Sequence, residues 1–307
     1  MPVRPAIIFI VGPTAVGKSA VAVELARKIN AEIISCDSMQ IYKGMDIITS
    51  KPSLLLRKKI KHHLIGLVSP EKEYNVAKYR EEALKRVEKI IKKGKAPIFC
   101  GGTGLYLSIL IDGIFKERAG NLALRKKLGL QLKKYGRNYL YKKLKRIDKR
   151  AAEKIHPNDT KRVIRALEVF EATGRPISGL QIEREGMTKD YDLKIFCLNM
   201  ERNTLYRRID RRVDSMFNEG LLKEVRKLTG KKLSATSSYA IGMKELDGYF
   251  KGNYDLEEAT RLIKRNSRRY AKRQLSWFRK DKRIKWFKIK ENDTPKIIAR
   301  RLWKELS

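Results

Sequence analysis

No stretch of this chain stays apolar for the roughly 20 residues that a bilayer span requires, and the apolar opening Ala6–Val11 is far too short. That opening also lacks the layout of a secretory leader, because Gly12–Ser19 follows at once and reads as a working loop. Cysteine is scarce. Cys36, Cys100 and Cys197 are odd in number and far apart, so neither a disulfide framework nor a zinc knuckle is expected, and a reducing cytoplasm is. Acids are short as well: 34 Asp and Glu face 71 Lys and Arg over 307 residues, a formal net charge of +37. Lysines can be mere solubilisers, but this excess predicts a polyanionic partner. A membrane surface is the poorer candidate, since neither terminus carries a basic amphipathic helix with a bulky aromatic face. At 42% hydrophobic, the chain can bury the core of one large domain or two modest ones.

What is present begins as an α/β rhythm. Ala6–Val11 reads as a buried strand, followed by a Gly-rich turn and a helix from about Lys18 to Ile29. A short strand over Glu32–Ser35 ends at Asp37, a helix runs from about Ala77 to Lys93, and a strand at Pro97–Cys100 enters Gly101-Gly102-Thr103-Gly104. This predicts a parallel sheet whose ligands bind at the carboxyl ends of its strands. From residue 115 to 192 the texture turns helical and basic, with helices at Leu122–Tyr135, Arg137–Ile147, Ala151–Ile155 and Asp159–Ala172. The expected organisation is therefore a core over 1–114 and 193–307 interrupted by a helical insertion over 115–192. In the second part of the core, Leu193–Leu198 reads as a returning strand. Helices are expected at Arg202–Leu228, Ala240–Phe250 and Leu256–Arg279, and an edge strand at Ile284–Ile289.

The octapeptide Gly12-Pro13-Thr14-Ala15-Val16-Gly17-Lys18-Ser19 satisfies G-x-x-x-x-G-K-[ST] between a strand and a helix. Its backbone amides can cradle phosphate oxygens, Lys18 adds a point charge, and the Ser19 hydroxyl can ligate Mg2+. The fold class is thus α/β, a P-loop NTPase-like parallel sheet with a helical insertion. The loop specifies a diphosphate or triphosphate, ATP included, without specifying the reaction. A hydrolase or kinase would place a second acid at the end of a later strand. Here that strand ends Ile98-Phe99-Cys100-Gly101-Gly102, and Asp37 is the well-placed acid instead.

Further motifs resemble one family. Ser35–Asp46, Lys51-Pro52, His62-His63-Leu64, Gly101–Tyr106, His156-Pro157-Asn158-Asp159, Arg162–Val169, Ala240–Lys244 and Lys272–Arg279 are similar, in order, to the motifs of tRNA dimethylallyltransferases of the bacterial type. The resemblance covers nearly the whole chain. Three positions depart from the family pattern: Gly66 stands for an Asp, Ile48 for a Gly and Met243 for a Tyr.

The resemblance implies transfer of a dimethylallyl group from dimethylallyl diphosphate to the exocyclic amine of the adenosine 3′ of the anticodon in tRNA. Asp37 is then the base, Ser38, Met39 and Gln40 line the base pocket, and Thr103 touches the nucleotide or the diphosphate. Arg208 and Arg212, four apart on one helix face, would stabilise the leaving group beside Lys18; a solvated charge ladder with Asp210 and Asp214 is the plainer alternative. The resemblance also assigns tRNA contacts to Arg125, Lys161, Arg162, Val163, Ile164, Arg165, Gly242, Lys244, Lys272, Arg273, Gln274 and Arg279. Basic groups bind phosphates while aromatics stack on unpaired bases, and Lys264, Arg265, Arg268, Arg269, Lys272 and Arg273 form a dense basic face. Trp277 and Phe278 are expected in the core, and Asp159 is expected to cap its helix. The three histidines read as structural, and the zinc finger of eukaryotic members is absent from these residues. A monomer is expected.

Two other functions share parts of this pattern. An adenylate isopentenyltransferase would use the same loop and Asp37, but a mononucleotide needs no broad basic surface. An ATP-driven nucleic-acid-binding protein or a small-molecule kinase would need the missing second acid.

Overall fold

The computed structural model describes residues 4–115 and 121–306. Residues 116–120 of the expected insertion, and 1–3 and 307 of the expected core, lie outside the described residues. Two compact units emerge: Met1–Leu110 with Asp190–Ser307, and Ile111–Lys189.

The first unit is built on six parallel strands: β1 Ala6–Val11, β2 Ala31–Ser35, β3 His62–His63, β4 Ala96–Gly101, β5 Asp192–Asn199 and β6 Lys285–Lys288. Their order is β3-β2-β4-β1-β5-β6. The central strands are continuous apolar runs because a parallel sheet is covered on both faces; in β1 only Ala6 is exposed. β1 pairs β4 with Ile8 opposite Ile98, and β5 with Phe9 opposite Ile195. Helix Lys18–Lys28 buries Val21, Ala22, Val23, Leu25 and Ala26. It packs against helix Pro295–Lys304, where Lys28 lies over the Trp303 ring at 4.0 Å. That last helix and the two-residue β3 escape a reading of the sequence.

The topology matters for function because β2, β4, β1 and β5 are consecutive in the sheet. Neighbouring strands lie about 4.8 Å apart, so the loops that follow these four end side by side. They carry Asp37, Gly101–Gly104, the phosphate loop and the approach to helix Arg202–Asn218. The helix expected over Arg202–Leu228 is two helices, Arg202–Asn218 and Leu221–Thr229. Gly220, at φ 99°, breaks them. The helix expected from Ala240 begins at Met243, after a turn at Ser237–Tyr239.

The second unit is helical. Its long helix Leu122–Ile147 kinks at Gly136 and packs on helix Thr160–Thr173. Leu128, Leu140, Leu144, Val163, Leu167 and Leu180 form its core. Inside this apolar setting sits Glu168, fully buried. It accepts from the Asn121 amide at 3.0 Å, from Arg125 at 3.0 and 3.1 Å, and from Arg165 at 2.9 Å. Burial alone would raise the Glu168 pKa, but the bonds from Arg165, Arg125 and Asn121 outweigh it and lower the value. Asp159 caps helix Thr160–Thr173 through the Arg162 amide at 3.2 Å.

Candidate active site

A cavity of about 1190 Å³ opens at the strand ends of the first unit. Thr14, Ala15, Gly17, Lys18 and Ser19 of the phosphate loop line it, together with Asp37, Ser38, Met39 and Gln40 from the end of β2. Val16 is buried beneath the loop. The Lys18 ammonium donates back to the Pro13 carbonyl at 2.7 Å, spanning the turn that a phosphate would fill. Burial lowers the Lys18 pKa; nearby Arg212 pushes the same way, and Asp37 opposes both.

Arg212 reaches the loop and donates to the Thr14 hydroxyl at 2.7 Å. Its pKa is lowered by burial, with Asp37 opposing. Arg208 approaches as well: a Cβ on Gly17 would lie 3.5 Å from its guanidinium. The interleaved acids turn elsewhere. Asp210 binds Arg268 at 2.6 Å and Asp214 binds Lys264 at 2.6 Å, which fastens helix Arg202–Asn218 to helix Leu256–Phe278. The charge ladder is therefore divided: its arginines serve the loop and its acids serve packing. Lys264 and Arg268 are corrected from an open basic face to interhelical ion pairs.

Asp37 accepts from the Met39 amide at 2.9 Å. The Ser38 amide donates to the Thr103 hydroxyl at 3.0 Å, and the Tyr270 phenol lies beside Thr103 with its pKa pushed up by desolvation. Gln40 accepts from Ser35 at 2.9 Å and donates to the Ser50 carbonyl at 3.3 Å. Opposite them the Glu224 carboxylate gathers the amides of Asp46, Ile47 and Ile48 at 2.8–3.1 Å, fixing a further stretch of the wall. The sequence carried no signal for Glu224 in this place.

The three departures have a local account. A Cβ on Gly66 would lie 3.5 Å from the Lys51 ammonium, which is held here by Asp46 at 3.0 Å. Ile48 is buried and packs against Gly242, whose φ of 108° starts helix Met243–Phe250. Met243 is buried.

Several expected tRNA contacts need correction. Gln274 is 5% exposed, and its amide is engaged by main chain at both ends. Val163 is buried in the second unit, and Ile164 packs against the same core. Arg125 and Arg165 need none: they hold Glu168 with 54% and 38% of their side chains still exposed. Lys161, Arg162, Lys244, Lys272, Arg273 and Arg279 are exposed; Arg273 also lines the cavity, and Lys244 lies 5.7 Å from the exposed Tyr239 ring. Phe278 is in the core as expected, but Trp277 is 37% exposed. Its indole lies against Gly104, where a Cβ would stand 2.3 Å away.

The thiols of Cys36, Cys100 and Cys197 are buried, which pushes their pKa values up to about 12, 11 and 12, so none offers a thiolate. His63 binds Glu32 at 2.7 Å and the His62 Nδ1 meets the Ile60 carbonyl at 2.8 Å. Among the described residues no helix is long and apolar enough to cross a membrane.

The family model described as IPP transferase matches residues 40–281. The tRNA dimethylallyltransferase of Halothermothrix orenii is 47% identical over 302 residues, covering 97% of this chain and 92% of that protein. Its counterpart from Acetivibrio thermocellus is 46% identical over 96% of both chains. Among solved structures, the tRNA isopentenylpyrophosphate transferase of Bacillus halodurans superposes with a TM-score of 0.72 at 40% identity, covering 99% of this chain and 97% of that one. A eukaryotic dimethylallyltransferase acting on tRNA gives a TM-score of 0.75 at 31% identity over 92% of this chain and 74% of that one.

Proposed function

The chain belongs to the IPP transferase family, and from that membership we infer that it transfers a dimethylallyl group from dimethylallyl diphosphate to tRNA. The acceptor is the exocyclic amine of the adenosine 3′-adjacent to the anticodon. One carbon–oxygen bond of the donor breaks, a carbon–nitrogen bond forms, diphosphate leaves and the amine loses a proton.

A single observation carries this reading: the Asp37 carboxylate shares one cavity with the phosphate loop, Lys18 and Arg212. Loop amides, Lys18, Arg208 and Arg212 hold the diphosphate and stabilise the charge it gains on leaving. Asp37 accepts the proton of the amine as the nitrogen becomes positive. Ser38, Met39, Gln40 and Thr103 hold the base, and the cavity exceeds the roughly 300–1,000 Å³ of an ordinary small-ligand site, consistent with two reactants. The base must leave its stack to enter, as bases do in other enzymes that modify them. Ser19 lines the cavity at the phosphate loop, and its hydroxyl is the oxygen that would hold Mg2+ there. Such an ion would supply charge neutralisation to the leaving diphosphate.

Exposed Lys161, Arg162, Lys244, Lys272, Arg273 and Arg279 contact tRNA phosphates. The protein works in the cytoplasm, where its acceptor is, and as a monomer, since one chain supplies every group named. Incubation with labelled dimethylallyl diphosphate and either tRNA, AMP or ATP tests the reading. Label is expected in tRNA alone; label in AMP or ATP, or in none, would contradict it.

A further inference from the structure

Three side chains of helix Leu256–Phe278 rest on the loops of the cavity. Tyr270 lies beside Thr103, Trp277 lies against Gly104, and between them Gln274 reaches two loops at once. Its Oε1 accepts the Thr14 amide at 2.9 Å, in the loop after β1, and its Nε2 donates to the Gly102 carbonyl at 2.9 Å, in the loop after β4. These two partners are main chain, so the side chain fixes the loop backbones directly, and the Tyr270 phenol beside it bonds to the Gln274 side chain as well. The fit is close. A Cβ at residue 102 would stand 2.1 Å from Nε2, and only glycine lets the amide approach.

The two tied loops belong to the two halves of the reaction. The Thr14 hydroxyl accepts from Arg212 on the leaving-group side. Thr103, the residue after Gly102, accepts from the Ser38 amide on the side of Asp37. We propose that Gln274 is a positioning residue that sets the separation between the diphosphate loop and the loop that holds the acceptor base. This rests on the function inferred above. Transfer needs the reacting atoms about 3–3.5 Å apart, and a displacement of about 1 Å can cost roughly 100-fold in rate. A tie of this kind acts on kcat and leaves either KM nearly alone.

The chemistry of the side chain supplies a specific test. Gln274→Met keeps the length and removes both bonds. Gln274→Glu, when ionised, accepts from Thr14 but opposes the Gly102 carbonyl. When protonated it both accepts and donates, as the amide does, and burial raises the pKa of such a carboxyl. Measured against wild type at each pH from 6 to 8.5, Gln274→Met should lose roughly 30- to 100-fold in kcat at every pH, with both KM values within about 3-fold. Gln274→Glu should lose a similar factor at pH 8.5 and recover to within about 5-fold of wild type by pH 6. A flat ratio for Gln274→Glu, a loss confined to the KM for tRNA, or kcat near wild type in both variants would overturn the proposal. If Gln274→Met does not fold, the titration of Gln274→Glu decides, because one polypeptide is measured at both ends. Independently of activity, the amide of Thr14 should exchange its hydrogen faster in Gln274→Met than in wild type. Unchanged protection there would overturn the tie even if the functional reading stood, and a wild type that transfers no label would fail that reading alone.

Discussion

In the cavity, Arg212 donates to the neutral hydroxyl of Thr14 and shares its surroundings with Lys18; in the helical unit, Arg125 and Arg165 both close on the carboxylate of Glu168. Both settings are buried or partly so, and both hold more than one cation. The difference lies in the counter-charge. Glu168 is built in, so its arginines complete the framework. Around Lys18 and Arg212 burial lowers both pKa values and Asp37 opposes only part of that, so the cluster gains most when a diphosphate enters. A basic residue is thus a framework residue or a ligand-binding residue according to where its anion comes from.

The comparison breaks first at Asp37. Asp37→Asn keeps the shape and removes the proton acceptor, and turnover should fall roughly 100- to 10,000-fold with donor affinity little changed. Steady-state kinetics paired with donor titration separate the two. Loss of donor affinity before turnover would move Asp37 to the leaving-group side of the cavity.

At the other pole, replacing Arg125 and Arg165 together by Gln strands a buried carboxylate. Removing one partner of a buried pair typically costs about 3–5 kcal/mol. Both guanidinium groups reach solvent, so about 2–3 kcal/mol is expected here, read by denaturant unfolding. Activity per folded molecule at low temperature should hold far better than in Asp37→Asn.

A pH titration sharpens the contrast. The Lys18 pKa is lowered in the free protein, and a bound diphosphate favours the protonated form. Donor binding therefore takes up a proton as pH rises through the lowered pKa, and affinity falls there, below the ordinary lysine value of 10.5. Calorimetry in buffers of different ionisation enthalpy measures the uptake; none would remove Lys18 from the donor.

The exposed cations give the smallest effect. Lys272→Ala with Arg273→Ala should reduce the slope of log tRNA affinity against log salt by roughly 1 to 2, one counterion term per lost phosphate contact. An unchanged slope would move the tRNA surface elsewhere.

Which of these roles the sequence reveals follows from distance along the chain. The phosphate loop is contiguous, so Gly12–Ser19 is legible once a buried strand precedes it and a helix follows. Asp37 is legible because it ends an apolar run, although its role as base comes from family resemblance. Gln274 is not, since its partners Thr14 and Gly102 are 260 and 172 residues away and a glutamine in a basic helix resembles one more RNA contact. Glu168 hides for the same reason within Arg162–Val169, where only the fold reveals that its face is buried and that Arg125 arrives from another helix. β3 is two residues long, too short for any period to register, and it exists because β2 offers it an edge.

The claim that the cavity cations await an anion while those at Glu168 do not is tested most directly by calorimetric titration of dimethylallyl diphosphate into wild type, Arg212→Ala and Arg125→Ala. A charge-assisted bond is worth about 1.5–3 kcal/mol, so Arg212→Ala should weaken donor binding roughly 10- to 150-fold. Arg125→Ala should stay within about twofold of wild type, because its guanidinium is committed to Glu168. Equal affinities for wild type and Arg212→Ala, or an equal loss in both variants, would contradict the account.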